Sequence, residues 1–336
     1  MKAVLLKEFG GPEQLSYEEV SDPSPGLGEV LIRVKMAALN RRDASITYGQ
    51  HYRNIKLPVI PGADGAGVVV ELGEGVESVR VGAEVVINPA LNWGENPRLQ
   101  GRAFSILGVP TNGTYAQLVK VSAENVFAKP EDLSWEEAAA VPLAGLTAYR
   151  AFITRGQIQQ GETVVIPGAG GGVATFLILF ASALGARVFV TSSSDDKIAR
   201  AKQLGAAGGV NYTNKNWVNE LHRMTGGADL CVDSIGGDQF QALVSIAKPG
   251  SRIVSFGATR GTVPNLGMTE AIVKQLDIRG TYMGSPEEFE QMLELIKKYK
   301  IHPAIDEKFM LKDAVPALKR MESGQSFGKI LLHISD

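Results

Sequence analysis

Residues 161–197, GETVVIPGAGGGVATFLILFASALGARVFVTSSSDDK, constrain this chain more than any other stretch. Residues 163–166 form a short run rich in β-branched apolar side chains, the pattern of a strand covered on both faces. Gly168-Ala169-Gly170-Gly171-Gly172 then removes side chains where the chain must turn sharply and let something approach its backbone. Residues 173–184 are apolar and all but uncharged, as suits a buried helix, and Gly185 stops that helix before a second strand over 187–191.

Strand, glycine turn, helix and strand make the βαβ unit that sets a pyrophosphate on a helix N-terminus, where free N–H groups and the positive dipole end favour an anion. The usual G-x-G-x-x-G reads here as Ala169-Gly170-Gly171-Gly172-Val173-Ala174, an imperfect match in the required context. A glycine-rich turn of some other α/β protein is the alternative. About twenty residues after such a turn, an NAD site carries an acidic residue for the ribose 2′-OH. The second strand instead ends in Thr191-Ser192-Ser193-Ser194, followed by Lys197 and Arg200. Hydroxyls and cations suit a 2′-phosphate, which points to NADPH. Asp195 and Asp196 are expected in the first turn of the next helix, where the dipole favours them.

A chain of 336 residues is too long for most single cores, so two domains are expected. With a formal net charge of −2, no basic field argues for nucleic acid or an anionic membrane. One cysteine, Cys231, excludes an internal disulfide and any cysteine-clustered metal site, and His51, His222, His302 and His333 show no metal spacing. No signal segment or membrane span is legible, so a cytoplasmic protein is the default expectation.

The first third of the chain reads differently from the middle. Short β-rich runs at 1–6, 30–34, 68–72, 84–87 and 117–121 are separated by Gly, Pro, Asn and Asp turns, which predicts a twisted antiparallel domain. Residues 88–113 lack periodicity and read as a surface lobe. Ser134 with Glu137 is a capping box that opens a helix. Strands and helices then alternate to residue 282, which predicts a doubly wound parallel sheet. A helix over 287–300 and a strand over 329–334 follow, and this tail is expected to return to the first domain.

Taken in order, KAVxxxxFGGPExL, PGxxGAGVVxExGxGV, the glycine turn and FGATRG resemble the medium-chain dehydrogenase/reductase superfamily over the whole length, closest to its zinc-free quinone-oxidoreductase branch. The resemblance implies a β-rich GroES-like catalytic domain at 1–127, a Rossmann domain at 128–284 and a return to the catalytic domain at 285–336. It implies a homodimer joined through the sheet edge near 277–282. The family's catalytic zinc ligands fall at Asn40, Ala63 and Leu143, and its four structural cysteines would fall within 88–113, which has none. Alanine and leucine offer no lone pair and asparagine is a poor zinc ligand, so no metal is expected. Without a Lewis acid, reduction of an already electrophilic quinone or α,β-unsaturated carbonyl is easier than alcohol oxidation.

Residue by residue, the resemblance puts Asn40 and Asp43 where nicotinamide meets substrate, Asn40 as a donor to a carbonyl and Asp43 as an orienting group or a helix brace. Ser45 stands where a tyrosine is frequent, so Tyr48 or Tyr52 would have to substitute as proton donor. Thr147, Met283 and Gly284 fall near the nicotinamide. Gly168 to Val173 (Gly168, Ala169, Gly170, Gly171, Gly172, Val173) line the pyrophosphate. Ser192, Ser193, Ser194 and Lys197 take the 2′-phosphate, and Tyr212 lies near the adenosine. Phe256, Gly257 and Ala258 pass under the ribose, and Lys329 is a cation near the phosphates. Two other activities fit the same scaffold, a 2-enoyl-thioester reductase and a non-catalytic NADPH-binding protein.

Overall fold

The computed structural model describes residues 1–50 and 55–335. It divides into two compact units, Met1–Leu146 with Gly284–Asp336, and Thr147–Met283. The first crossing therefore lies at Leu146 and not at residue 127. The physical reason is the helix Trp135–Ala140, which packs on strands of the first unit although it follows the β-rich stretch.

The first unit opens with the hairpin β1 (Lys2–Leu6) and β2 (Leu15–Glu19), then β3 (Glu29–Ala38) and the helix α1 (Arg41–Thr47). Next come β4 (Asp64–Leu72), β5 (Glu84–Ile87), the short pair β6 (Ala90–Leu91) and β7 (Ser105–Ile106), β8 (Leu118–Ser122) and β9 (Val126–Ala128). The helices α2 (Trp135–Ala140) and α3 (Pro142–Tyr149) carry the chain into the second unit. There β10 (Thr163–Pro167), α4 (Gly172–Ala183), β11 (Arg187–Ser192), α5 (Asp195–Gln203) and β12 (Gly208–Asn211) alternate. They are followed by α6 (Trp217–Thr225), β13 (Ala228–Asp233), α7 (Phe240–Ile246), β14 (Ala247–Ser255), α8 (Met268–Val273) and β15 (Asp277–Gly280). The tail adds α9 (Pro286–Tyr299), β16 (Ile305–Met310), α10 (Ala314–Glu322) and β17 (Lys329–His333) to the first unit.

In the first unit the main sheet runs β16-β17-β3-β4-β5-β9, with β8 also on β3. The ten-residue β3 is long enough to take β8 along its first half and β17 along its second. Gly67 of β4 lies so close to the Arg33 carbonyl that any Cβ there would overlap it, which is why this strand needs a glycine. The returning β17 is buried at four of its five positions, as its apolar run predicts.

The second unit is an all-parallel sheet in the order β12-β11-β10-β13-β14-β15. The first strand of the unit, β10, has every residue buried, matching its unbroken apolar run. Helix α4 buries Phe176 and Phe180, whose rings pack at 5.7 Å, and burial of each contributes about 1.5–3 kcal/mol. Gly185 takes a φ of +73° just after this helix, a left-handed position that glycine occupies without strain. The strand order reverses between β10 and β13, so their carboxyl ends open a crevice at a topological switch point. Among the described residues, no helix is long and apolar enough to cross a membrane.

Candidate functional site

In the second unit, nearly all the residues predicted to hold a nucleotide come to the carboxyl edge of this one sheet. The glycine turn follows β10, Ser192 to Ser194 follow β11, Tyr212 follows β12, Phe256 to Ala258 follow β14, and Met283 follows β15. Parallel strands carry every one of these loops to the same side.

The turn after β10 is held by two backbone bonds, from Gly168 N–H and Ala169 N–H to the Thr191 carbonyl, each 3.0 Å. Gly168 has a φ of +83°. Gly171 is different. Its φ is −71°, open to any residue, and a Cβ there would meet nothing within 4 Å. The chain's own packing therefore does not require a glycine at the N-cap of α4; what the glycine leaves is room above the helix N-terminus.

At the end of β11, Ser192 Oγ accepts from Ser194 N–H at 3.1 Å, and Ser194 Oγ accepts from Lys197 N–H at 3.3 Å as the cap of α5. Both hydroxyls keep a proton to donate. Asp195 and Asp196 occupy the first turn of α5, as expected. Tyr212 N–H donates to the Ser192 carbonyl at 3.0 Å, which ties the third strand's exit to the serine run. The buried Thr147 hydroxyl lies 3.9 Å from the Met283 sulfur, so two residues far apart in sequence meet. Met283 holds a φ of +49°, a costly conformation for a side chain of this kind.

Sequence reasoning missed the loop after β13. Asp233 is buried and accepts from the N–H groups of Ile235 and Gly236 and from the Ser255 hydroxyl. Burial raises its carboxyl above the usual range against the pull of those donors. Gly236 and Gly237 follow in left-handed conformations, and Ile235 packs over Gly168 across the switch point. The glycine pair directly after a predicted strand was the signal available. Cys231, one strand residue pair earlier, is a buried thiol pushed up to about 12 by desolvation, so it is inert packing.

The first unit contains a second cluster, built by strand register. Ala38 at the end of β3 faces Asp64 at the start of β4 and Leu331 of β17. Asn40, Asp64 and Lys329 therefore converge, with exposures of 6 %, 0 % and 3 %. Lys329 Nζ donates to the Leu39 carbonyl at 2.8 Å, Asn40 Oδ1 at 2.7 Å and Asp64 Oδ2 at 2.8 Å. Asn40 Nδ2 donates to Asp64 Oδ2 at 2.9 Å, and Leu143 N–H donates to Asp64 Oδ1 at 2.8 Å.

This arrangement changes the expectation for Lys329. All three of its N–H donors are used by acceptors of the first unit, so it has none to offer a phosphate as it stands. Nor does the set fit zinc. Asn40 Oδ1 and both Asp64 oxygens are already occupied by N–H groups, Ala63 and the Leu143 side chain offer no lone pair, and an ammonium stands where a cation would have to bind. No cluster of three or more His, Cys, Asp or Glu residues able to hold a metal is present among the described residues.

Asp43 is a brace, one of the two roles expected. Its Oδ2 accepts from Asn40 N–H and from the Tyr115 hydroxyl, each at 2.8 Å, and Arg42 lies 3.7 Å from Oδ1. Burial raises the Asp43 carboxyl, and burial next to Asp43 keeps the Tyr115 phenol well above its ordinary range. Arg42 is itself buried and donates to the Leu107 carbonyl at 2.9 Å. Tyr48 does not join this group. As the C-cap of α1 it packs on Gly11, and partial desolvation and then the Glu322 carboxylate raise its phenol. With Met321 and Glu322 of α10 it lines a groove of about 230 Å³, and its phenol hydrogen-bonds to Glu322. Tyr52 lies outside the described residues. Gly284 belongs to the first unit, where a Cβ would press on the Leu146 side chain.

Comparison with known proteins adds an independent line. Residues 26–131 match the family model of the alcohol dehydrogenase GroES-like domain, and residues 172–298 that of the zinc-binding dehydrogenases. The chain is 35% identical to a zinc-type alcohol dehydrogenase-like protein of Schizosaccharomyces pombe, over 99% of each. It is 29% identical to a quinone oxidoreductase of Pseudomonas aeruginosa, over 98% of this chain and 99% of the relative. Among solved structures it is similar to an NAD-dependent alcohol dehydrogenase, with a TM-score of 0.95, 37% identity and full coverage of both chains.

Proposed function

The chain is an oxidoreductase of the medium-chain dehydrogenase/reductase superfamily, and from that premise we propose that it is a metal-free, NADPH-dependent reductase of quinones or α,β-unsaturated carbonyls. The observation that carries this reading is the Asn40 cluster, where the cation among polar groups is a lysine and one Asn40 N–H has no acceptor among the described residues. NADPH, when bound, supplies the hydride. The chain's task is to bind it, orient it and stabilise the charge that develops on the acceptor oxygen. Gly171 leaves room for the pyrophosphate at the N-terminus of α4, and Ser192, Ser193 and Ser194 offer hydroxyl donors to a 2′-phosphate without a carboxylate at that point of the strand. Asn40 Nδ2 gives one proton to Asp64 and has a second for the oxygen of a quinone or enone. Nothing in the cluster polarises an alcohol, which favours conjugated acceptors.

The test is a titration with NADPH and NADH, followed by 1,4-benzoquinone, an acyclic enone and a 2-enoyl thioester in turn, with elemental analysis for zinc on the same sample. Tighter NADPH binding and oxidation by either of the first two acceptors are expected. An NADH preference would remove the serine argument, and one zinc per chain with alcohol turnover would remove the reading altogether.

We also propose that two copies associate through the second unit. Strand β15 ends its sheet, and Ile278 on it is 43% exposed, with Ile272 and Val273 of α8 at 67% and 74%. An unpaired edge beside exposed apolar side chains is costly in an isolated chain. Light scattering at micromolar concentration should give twice the chain mass, and a monomer would sink the proposal.

A further inference from the structure

We propose that Lys329 is the resident cation of the Asn40 cluster and a positioning residue, whose ammonium locks the Asn40 amide with Nδ2 as the free donor. The second half of this rests on the reductase reading; the first half does not.

Three oxygens surround Lys329 Nζ at 2.7–2.8 Å: a backbone carbonyl, an amide and a carboxylate. They carry one formal negative charge between them, matched to one positive charge. This is a shell for a monovalent cation of ammonium type, and the chain supplies that cation on a tether from β17. Asn40 in turn has two ends of equal shape and opposite polarity. In the observed orientation Oδ1 accepts from Lys329 and Nδ2 donates to Asp64. A flip would set the amide N–H groups against the ammonium and the oxygen against the carboxylate, two buried repulsions at once. Lys329 and Asp64 thus fix the polarity of Asn40 from opposite sides. Neither would touch the acceptor; they act through Asn40.

The experiment is chemical rescue of K329A. Truncation leaves the three oxygens and a channel the width of an alkyl chain, which ethylammonium or propylammonium should enter and tetramethylammonium, lacking N–H donors, should not satisfy. At constant ionic strength, the thermal midpoint of K329A is expected to fall by several degrees and to recover saturably with the primary ammonium ions alone. NADPH oxidation by benzoquinone should drop about 10²-fold in kcat, the loss typical of one misplaced oxyanion donor, with NADPH affinity unchanged, and recover over the same concentrations. No recovery, or equal recovery with tetramethylammonium, would overturn the cation assignment. Thermal rescue without any change in kcat between rescued and unrescued protein would overturn the positioning role. A wild-type protein inert toward every acceptor would sink the reductase reading while the thermal rescue still decides the cation site. If K329A fails to fold, K329M/D64N removes both charges together; it should fold, ignore alkylammonium and keep the roughly 10²-fold kcat loss, and wild-type kcat in that variant would overturn the lock.

Discussion

Asp64→Ala is expected to destabilise the first unit by about 3–5 kcal/mol, the cost of leaving one partner of a buried ion pair behind. The side chain is fully buried and accepts from three donors: Leu143 N–H, Asn40 Nδ2 and Lys329 Nζ. Removing it strands an ammonium and two N–H groups with no water to turn to. For a domain of this size the loss corresponds to a fall in thermal midpoint of roughly 6–20 °C. The pair does not by itself make the fold stable, because burying both charges had a desolvation cost that their attraction only offsets. Asp64→Ala combined with Lys329→Met should therefore recover most of the loss. Urea unfolding of the two variants checks this. A single variant within 1 kcal/mol of wild type would show that water reaches the pair.

Gly171→Val is expected to separate nucleotide binding from folding. A glycine kept for the chain's own packing, such as Gly67 against the Arg33 carbonyl, cannot be enlarged without moving the backbone. Gly171 has open space over it and an ordinary φ, so the folded chain accommodates valine there at about 1 kcal/mol, the cost of a poor N-cap. The same side chain would fill the room in front of the first N–H groups of α4. NADPH affinity should fall about 10²-fold, since a phosphate group must reach those N–H groups closely to be held. Isothermal titration beside an unfolding curve measures both. Unchanged affinity would mean that the pyrophosphate does not lie on this turn.

Most of the second unit was legible because its elements state themselves locally. The runs at β10 and β11, the uncharged α4 and the serine cap of α5 each depend on a few adjacent residues. Once the strands are parallel, their loops must share one edge, so most of the residues predicted to hold a nucleotide in this unit needed only the strand order to be gathered, whereas Gly284 and Lys329 fall in the first unit. The loop after β13 escaped because Asp233 reads as an ordinary strand residue until its N–H and hydroxyl donors surround it. In the first unit α1, β16 and α10 were missed; they are short or weakly patterned and are fixed by the sheet and helices they pack on.

The sequence alone thus determined the βαβ core, the two-unit plan with a returning tail, and the residue types at positions 40, 63 and 143, where alanine and leucine offer no lone pair and asparagine is a poor zinc ligand. Residue type is a local property, and a missing lone pair needs no coordinates. What only the tertiary structure decided was where Lys329 points. Its contacts with Asn40 and Asp64 span 289 and 265 residues and follow from β3 taking β4 on one side and β17 on the other. A lysine at the start of a strand is equally at home in solvent or against a phosphate. Register buried this one among three oxygens, and that burial turned a surface-type side chain into the cation of the site.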